Sequence, residues 1–420
     1  MENILHQVGR IFRWLGRCPS MAEPCVGVGG LRTWVQASGI PYQATACIDF
    51  DKDIALFYDS LKEKGEGGLD TVESGPVEGD MLSKPLDSLQ PCEVFVAGPP
   101  CQPYAGNGKK MGFSDSRSEV LERCIDWIED LAWKGELVAF LLENSERLAE
   151  HSEFWHLIER LTCSTPFFKI EVQAHDLSSL VPHSRPRLWV RGLRVDCLLQ
   201  PEEGLPPPVS LESLGVKRFA LQDFLEEGAP NLSPEQLTPI MRSNLSVYKR
   251  MAMEAIKDGV EAAVVACELD RNPLRAYGGT VVFDCVPSFR CGGPQIFLLS
   301  VDDISGPWEA QRLHRFLTVR ERFALQGHPH ALAEHFAGRT ASMKASGNAF
   351  NVLAMAAMLA PLLESAARAG VLQRSSGSRK PLSEEELMGL VPSEGPPPKV
   401  SLKQAQACVA TPARKRKRIS

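Results

Sequence analysis

Four short apolar runs lie within the first 145 residues, and stretches with helical periodicity separate them. The runs occupy residues 24–31, 43–51, 92–98 and 137–144. Each is rich in the residue types expected of strands that are buried on both faces of a parallel sheet. A chain that alternates strands with helices in this way predicts an α/β fold built on a doubly wound, mostly parallel sheet.

The regular pattern ends near residue 200. Residues 169–177 and 187–194 are close enough together to form an antiparallel hairpin at the edge of the sheet. A proline-rich turn at 198–210 then leads into a segment with many irregular Gly- and Pro-rich stretches. We therefore expect a second, smaller and irregular domain at 195–311.

Helical periodicity returns in residues 312–370, and the composition changes again beyond Gly370. Residues 371–420 are rich in Ser, Pro and charge, which predicts a disordered tail. At the other end, residues 1–18 have apolar positions at helical spacing, and we favour a helix packed on the domain edge over a targeting presequence.

The formal net charge of −6 is not typical of a nucleic-acid-binding protein, but the charge is unevenly distributed. Residues 195–311 hold nine Lys and Arg against 17 Asp and Glu, whereas residues 371–420 hold ten against four. The basic cluster at 414–418 has two interpretations, a nuclear localisation signal or a non-specific phosphate-binding tail. We favour nuclear import, with the cytoplasm or an organelle as alternatives.

The chain has 12 cysteines, which are scattered rather than arranged in CxxC pairs or at zinc-ligand spacing. Free thiols in a reducing compartment are the simplest interpretation. The sequence predicts no metal site. The composition, with 44% hydrophobic residues, is that of an ordinary globular protein. The sequence also predicts no membrane association, because no apolar run approaches the length of a membrane span.

A glycine-rich turn between the first predicted strand and helix indicates a ligand site. Gly27, Gly29 and Gly30 allow the backbone to approach a ligand closely, at a helix N-terminus with free N–H groups. Asp49 follows the next strand, where an acid can bind ribose hydroxyls, and Asp80 lies near the end of the strand predicted after that. The spacing departs from GxGxxG and favours a nucleoside without a pyrophosphate, such as S-adenosylmethionine.

Two further side chains lie where strands of the predicted sheet end, which is where open α/β sheets bind ligands, and a pair of arginines follows them in the sequence. Cys101 follows one strand directly, and Glu143 ends the next. Arg185 and Arg187 are two residues apart, so that they share a face of a strand. A carboxyl group that faces a reactive thiol is a candidate general acid.

Taken in order, these stretches resemble the cytosine carbon-5 methyltransferase family across residues 25–360. The matching stretches are GPPCQ (98–102), GFSDSRSEV (112–120), ENS (143–145), HSRPR (183–187), RFLTVRERFALQGHP (315–329) and GNAF (347–350). They resemble the family's catalytic loop, its ENV and QxRxR motifs, its ninth motif and its GN motif. A series in family order is far more specific than any one member.

The resemblance implies a Rossmann-like, S-adenosylmethionine-dependent methyltransferase fold. Residues 1–194 would be the first part of the catalytic domain, 195–311 the target-recognition domain, and 312–370 a segment that completes the catalytic domain. The implied cofactor-binding residues are Cys25, Gly27, Gly29, Gly30, Asp49, Phe50, Asp80, Pro100, Asn348 and Ala349.

The implied activity is methylation of carbon-5 of a flipped-out cytosine in DNA. Cys101 would add to carbon-6 of the base, and Glu143 would stabilise the charge that develops at ring nitrogen 3. Arg187, supported by Arg185, would hold the base carbonyl.

The chain departs from the family pattern at several positions. Cys25, Ser145 and His183 stand where the family has Phe, Val and Gln. Ala324 and His328 replace an Arg and a Phe of the ninth motif. None of these changes removes the nucleophile, the acid or the paired arginines, so the implied reaction type is unchanged.

Two other functions remain open at the level of sequence. A transfer-RNA methyltransferase of the same fold is one, because the RNA-directed branch is similar at PPCQP, although its Cys-Phe-Thr tripeptide is missing from residues 195–311. A catalytically weak scaffold is the other, since the acidic middle region is poor in the Lys and Arg that bind phosphates.

Overall fold

The structure, a computed structural model, describes most of the chain between residues 19 and 391. The described residues are 19–39, 43–64, 79–104, 111–199, 204–213, 215, 217–275, 281–289, 296–302, 304–308, 312–372 and 381–391. The predicted N-terminal helix and the basic cluster at 414–418 lie outside these residues. The chain divides into two compact units. Unit 1 comprises Met1–His175, Pro186–Val209 and Val352–Ser420, and unit 2 comprises Asp176–Arg185 and Ser210–Asn351.

The strands and helices are numbered along the chain. The strands are β1 (Ser20–Pro24), β2 (Gln43–Ile48), β3 (Val94–Ala97), β4 (Ala139–Ser145), β5 (Phe168–Asp176), β6 (Pro186–Arg194), β7 (Val264–Glu268), β8 (Val282–Phe283), β9 (Ile296–Ser300) and β10 (His314–Phe316). The helices are α1 (Gly30–Ala37), α2 (Lys52–Lys64), α3 (Glu119–Trp133), α4 (Ser152–Ser164), α5 (Pro239–Lys257), α6 (Val319–Leu325), α7 (Arg339–Asn348), α8 (Val352–Arg368) and α9 (Glu384–Gly389).

Unit 1 is built on a six-stranded sheet in the order β2-β1-β3-β4-β6-β5. β1 pairs in parallel with β2 and β3, and β3 pairs in parallel with β4. β6 runs antiparallel to β4, and β5 occupies the edge beside it. The mostly parallel α/β fold predicted from the alternating runs is confirmed, as is the position of the last two strands at an edge. The first strand lies earlier than the predicted run, because the chain already turns at Cys25.

Helices cover this sheet through apolar faces. Trp127, Ile128 and Leu131 of α3 are fully buried in the same core as Phe95 and Phe140 of the central strands. α8 contributes even more, since 15 of its 17 residues are buried. By length and composition residues 339–368 pass as a membrane span, but 94% of their apolar window is buried, as is usual for a core helix.

Unit 2 has a regular core of its own. Its four-stranded sheet, in the order β10-β9-β7-β8, is antiparallel throughout. α5 packs on one face of the sheet, where Tyr248 donates hydrogen bonds to the carbonyl oxygens of Glu268 and Arg271 at 3.2 and 3.1 Å. The region predicted to be irregular therefore contains a sheet. Its short strands were not recognised in the sequence because Gly- and Pro-rich segments lie between them.

Two boundaries differ from those expected. The return segment was predicted to begin at residue 312, but β10 pairs with β9 of unit 2, and the chain re-enters unit 1 only at Val352. The tail was predicted to be disordered, yet residues 381–391 fold onto unit 1. Leu387 of α9 is fully buried there, because the apolar residues of this short segment are spaced to form one helical face.

Candidate active site

Cys101 lies in a turn at the carboxyl end of β3. The thiol is partly exposed, and the Cys101 carbonyl oxygen accepts a hydrogen bond from the Tyr104 amide at 3.1 Å. The side-chain amide of Asn144, on the neighbouring strand β4, donates to the Pro99 carbonyl oxygen at 3.1 Å. The Cys101 turn is therefore attached to the strand that carries Glu143. Asn144 was not among the predicted site residues, although it lies within the ENS stretch.

Arg117 is a second residue that the sequence interpretation did not single out. Its guanidinium forms an ion pair with Asp115 at 2.6 Å. The hydrogen bond to Asp115 raises the pKa of Arg117, and the negative charge of the Asp115 carboxylate adds to this effect. The signal was present in the stretch at 112–120, which contains both residues.

Glu143 and Arg187 form an ion pair at the end of the sheet. Antiparallel pairing of β4 with β6 places Arg187 opposite Ser145 and Trp189 opposite Glu143. The Glu143 Oε1 and Arg187 Nε atoms are 2.7 Å apart, and each side chain is only 10% exposed. Arg187 Nη1 also donates to the Pro186 carbonyl oxygen at 2.8 Å. An acid and a guanidinium thus face each other in a largely dry site.

Arg185 makes different contacts from Arg187. It is buried in unit 2, where its two terminal nitrogens donate to the carbonyl oxygens of Gly347 and Ala349 at 3.1 and 3.0 Å. Its backbone N–H donates to Asp176 at 3.0 Å. Arg185 therefore holds the turn that contains Asn348 and Ala349.

The glycine-rich turn is bent by left-handed backbone. Gly27 and Gly29 have φ angles of 51° and 76°, and Cys25 has 59°, which is unusual for a residue with a side chain. The Gly27 N–H donates to Asp49 Oδ2 at 2.9 Å. The two predicted cofactor residues therefore meet. A Cβ atom built on Gly27 has nothing within 4 Å, so this side of the turn is open to a ligand.

Glu23 lies beneath this turn and was also missed. Its side chain is fully buried, and Oε1 accepts a hydrogen bond from the Leu31 N–H at 2.9 Å, in the first turn of α1. Burial raises the pKa of Glu23 to about 7, although the Leu31 hydrogen bond and the charge of Arg32 oppose the shift. An acid within an otherwise apolar strand, just before a glycine turn, was the available signal.

The other predicted cofactor residues have varied surroundings. The Phe50 ring is 69% exposed, as expected of a face on which a flat base can stack. Asp80 caps a single turn by accepting from the Leu82 N–H at 3.0 Å, and Cys25 Sγ lies 3.7 Å from Met81 Sδ. Gly30 begins α1, and Pro100 directly precedes Cys101. In unit 2, Asn348 is exposed at the end of α7 and Ala349 is buried.

A model of the C-5 cytosine-specific DNA methylase family matches residues 20–363, which is most of the chain. The chain belongs to this family. The match includes all the predicted site residues and agrees with the resemblance found in the motifs.

Among curated proteins, this family member is similar to the type II methyltransferases M.BanI of Aneurinibacillus aneurinilyticus, M.NgoBI of Neisseria gonorrhoeae and M.DsaV of Dactylococcopsis salina. It is 27% identical to M.BanI over 180 residues, which are 40% of this chain and 36% of M.BanI. For M.NgoBI the identity is 26% over 172 residues, 40% of this chain and 48% of the relative. For M.DsaV the identity is 23% over 270 residues, which are 59% of this chain and 70% of M.DsaV. The matched region thus spans less than half of the first two relatives.

Solved structures of Dnmt2 proteins share the fold. The Dnmt2 methyltransferase of S. pombe superposes with a TM-score of 0.55 at 14% identity, covering 82% of this chain and 98% of that one. A DNMT2 mutant of Spodoptera frugiperda superposes with a TM-score of 0.51 at 16% identity, covering 82% of this chain and 99% of that one. At such identities the likeness concerns the fold alone. No group of three or more His, Cys, Asp or Glu side chains suited to a metal occurs within the described ranges.

Proposed function

We propose that this protein is a DNA (cytosine-5-)-methyltransferase that acts through a covalent adduct of Cys101. The observation that carries the proposal is the shared location of thiol and acid. Cys101 follows β3, Glu143 lies at the end of β4, and Asn144 connects the two elements through its hydrogen bond to Pro99. This brings a nucleophile and a carboxyl group to one edge of a sheet, where α/β folds bind substrates.

The proposed reaction begins at carbon-6 of cytosine. The Cys101 thiolate forms a bond to that atom, and the electron pair of the 5,6 double bond moves to carbon-5. Carbon-5 would then take the methyl group as the bond between that methyl and the donor's sulfonium sulfur breaks, and the donor would leave as a neutral thioether. Loss of the carbon-5 proton to a water molecule and elimination of the Cys101 thiolate would restore the 5,6 double bond. Attack on the face of the ring requires that a base from a duplex leave the stack.

Glu143 and Arg187 would stabilise the base during addition. Negative charge that develops on the ring at nitrogen 3 and on the carbonyl oxygen needs donors at those atoms. Glu143 can share a proton with nitrogen 3 as the charge develops there. Arg187 uses Nε for Glu143 and Nη1 for Pro186, and its other N–H groups are donors for the carbonyl oxygen. The low exposure of the pair makes these interactions stronger than they would be in water.

The open glycine turn fits the adenosine moiety of S-adenosylmethionine, which supplies the methyl group when it is bound. Asp49 lies at the end of a strand, where its carboxylate can accept hydrogen bonds from ribose hydroxyls. Its Oδ2 atom also accepts a hydrogen bond from the Gly27 N–H. The exposed ring of Phe50 offers a stacking face for adenine. Arg185 would act indirectly, by holding the turn of Asn348 and Ala349.

The DNA substrate is supported by the family and by relatives that are named as type II methyltransferases. The test is transfer of labelled methyl groups from S-adenosylmethionine to duplex DNA and to transfer RNA. We expect DNA to be labelled by the wild type and by Cys163→Ser, a control that changes an exposed cysteine of α4. Cys101→Ser should transfer nothing while it still binds the cofactor.

Each alternative has a distinct result in this assay. Incorporation into transfer RNA alone would support the RNA-directed enzyme. Cofactor binding without transfer to any nucleic acid would support a scaffold. Turnover by Cys101→Ser at the wild-type rate would overturn the covalent mechanism.

We also propose that the basic cluster at 414–418 directs the protein to the nucleus. The support is its sequence, five consecutive Lys and Arg residues near the C-terminus. A fluorescent fusion of the full chain should accumulate in nuclei, and a fusion with these five residues changed to Ala should not. A wild-type fusion that stays in the cytoplasm would refute nuclear import.

A further inference from the structure

Three rings of unit 1 lie close to one another beside the Cys101 turn. The ring of Tyr104 lies 5.3 Å from that of Phe113 and 5.5 Å from that of His151, measured between centroids. Phe113 and His151 are 6.0 Å apart. Tyr104 precedes residues 105–110 and Phe113 follows them, whereas His151 comes from the start of α4. His151 therefore contacts residues on both sides of 105–110 in the sequence.

Backbone contacts at this point are equally close. The Gly112 N–H donates to the Pro103 carbonyl oxygen at 3.2 Å, which joins the backbone before residue 105 to the backbone after residue 110. Gly112 has a φ of 54°, and a Cβ atom built on it would lie 2.8 Å from Cε1 of His151. Real Cβ atoms do not approach other atoms so closely. Only glycine fits between the backbone turn and the imidazole.

A short chain of contacts leads from His151 to the backbone of Cys101. His151 packs against Tyr104, and the Tyr104 amide donates to the Cys101 carbonyl oxygen at 3.1 Å. The Tyr104 side chain is itself only 3% exposed, so its position depends on the groups packed around it. Without the imidazole, the ring of Tyr104 would lose one of its packing partners.

We propose that His151 is a positioning residue that fixes the Cys101 turn through Tyr104 and Phe113. The inference rests on the proposed function insofar as Cys101 is the nucleophile. Misplacement of a reacting atom by about 1 Å can cost on the order of 100-fold in rate. A ring that fixes the turn should therefore affect the chemical step more than the binding of either substrate.

The first test is steady-state kinetics on His151→Ala. We expect kcat to fall about 10- to 100-fold, whereas the KM values for DNA and S-adenosylmethionine change less than about threefold. The matched control is His156→Ala, which removes an exposed histidine from the same helix. An unchanged kcat, or a loss confined to KM, would contradict the proposal.

The second test needs no methyl transfer. In the full-length protein without substrates, we would measure the alkylation rate of Cys101 by iodoacetamide, relative to that of the exposed Cys163, by peptide mass spectrometry. His151→Ala should raise the Cys101 rate about threefold or more, because a loosened turn exposes the thiol. An unchanged ratio would refute the positioning role even if the enzyme proved inactive on every nucleic acid.

Gly112→Ala approaches the same contact from the other side and remains informative if His151→Ala folds poorly. Its Cβ would push against the imidazole, so it should also speed the alkylation of Cys101. In the His151→Ala background this clash is absent, and Gly112→Ala should have a smaller effect than in the wild type. Equal effects in the two backgrounds would show that His151 and Gly112 are not coupled.

Discussion

At the scale of single residues, the candidate site depends on charges held in places with little water. Glu143 and Arg187 are each 10% exposed, and either one alone would be a poorly solvated, unpaired charge. Motifs identified both residues but not their contact, because the contact arises from the antiparallel pairing of β4 with β6. The sequence likewise did not show that the Arg185 guanidinium donates hydrogen bonds to the carbonyl oxygens of Gly347 and Ala349, which lie far along the chain.

We predict that Glu143→Gln both destabilises the fold and stops methyl transfer. Loss of the carboxylate leaves Arg187 unpaired, which should lower the free energy of unfolding by about 3 to 5 kcal/mol. Urea unfolding gives the stability, and the methyl-transfer assay gives the activity. The double variant Glu143→Gln/Arg187→Met should regain part of that stability but none of the activity. Turnover near the wild-type level in Glu143→Gln would contradict the role of the acid.

Glu23 should make stability depend on pH. Its pKa is raised in the folded state from 4.5 to about 7, so the folded protein binds this proton more tightly than the unfolded chain does. The associated stabilisation is fully present below pH 4.5 and is lost as the pH rises through 7. Between pH 4.5 and 8, we expect the free energy of unfolding of the wild type to fall by about 3 kcal/mol relative to that of Glu23→Gln. Urea unfolding across this pH range measures the difference in the free energy of unfolding between the wild type and Glu23→Gln. A difference that does not change with pH would contradict the prediction.

At the scale of elements, the short C-terminal helix α9 shows where composition misleads. Residues 371–420 are on average polar and charged, but Leu387, Leu390 and Val391 recur at helical spacing and pack into the core of unit 1. Ser383 and Glu386 form a capping box at the start of the helix. The apolar runs of β3 and β4 were recognised because whole strands are buried, whereas one helical turn gives too weak a periodic signal.

The packing of α9 can be tested with a pair of substitutions. Leu387→Ala should lower the free energy of unfolding by about 2 to 5 kcal/mol, because it removes a fully buried side chain and leaves a cavity. Met388→Ala, on the same helix but 48% exposed, is the control and should have little effect. The midpoint of denaturant unfolding distinguishes them, and equal midpoints would mean that α9 does not pack as described.

At the scale of the whole molecule, the boundaries of the units change the interpretation of charge. The interval 195–311 is strongly acidic, but unit 2 also contains residues 312–351 and holds 16 Lys and Arg against 17 Asp and Glu. The acidity that suggested a poor DNA reader thus belongs to an interval of sequence rather than to a folded unit. Sequence periodicity could not place this boundary, since the pairing of β10 with β9 decides it.

The C-terminal residues offer a test of how DNA is bound. If the basic cluster serves nuclear import, deletion of residues 392–420 should leave the salt dependence of DNA affinity unchanged. Affinity for a duplex would be measured between 50 and 200 mM salt. The logarithm of the binding constant falls linearly with the logarithm of the salt concentration, and each phosphate contact makes that slope steeper by roughly 0.9. A clearly shallower slope after deletion would show instead that the tail neutralises phosphates.

The proposed methyl transfer depends most of all on Cys101 acting as a covalent nucleophile toward cytosine in DNA. A duplex that carries 5-fluorocytosine tests this directly, because fluorine at carbon-5 cannot leave as the proton does, and the adduct persists after methylation. With the full-length protein and S-adenosylmethionine, we predict a stable complex in which peptide mass spectrometry finds the nucleotide on Cys101. Absence of that adduct, or its formation by Cys101→Ser, would contradict the proposed mechanism.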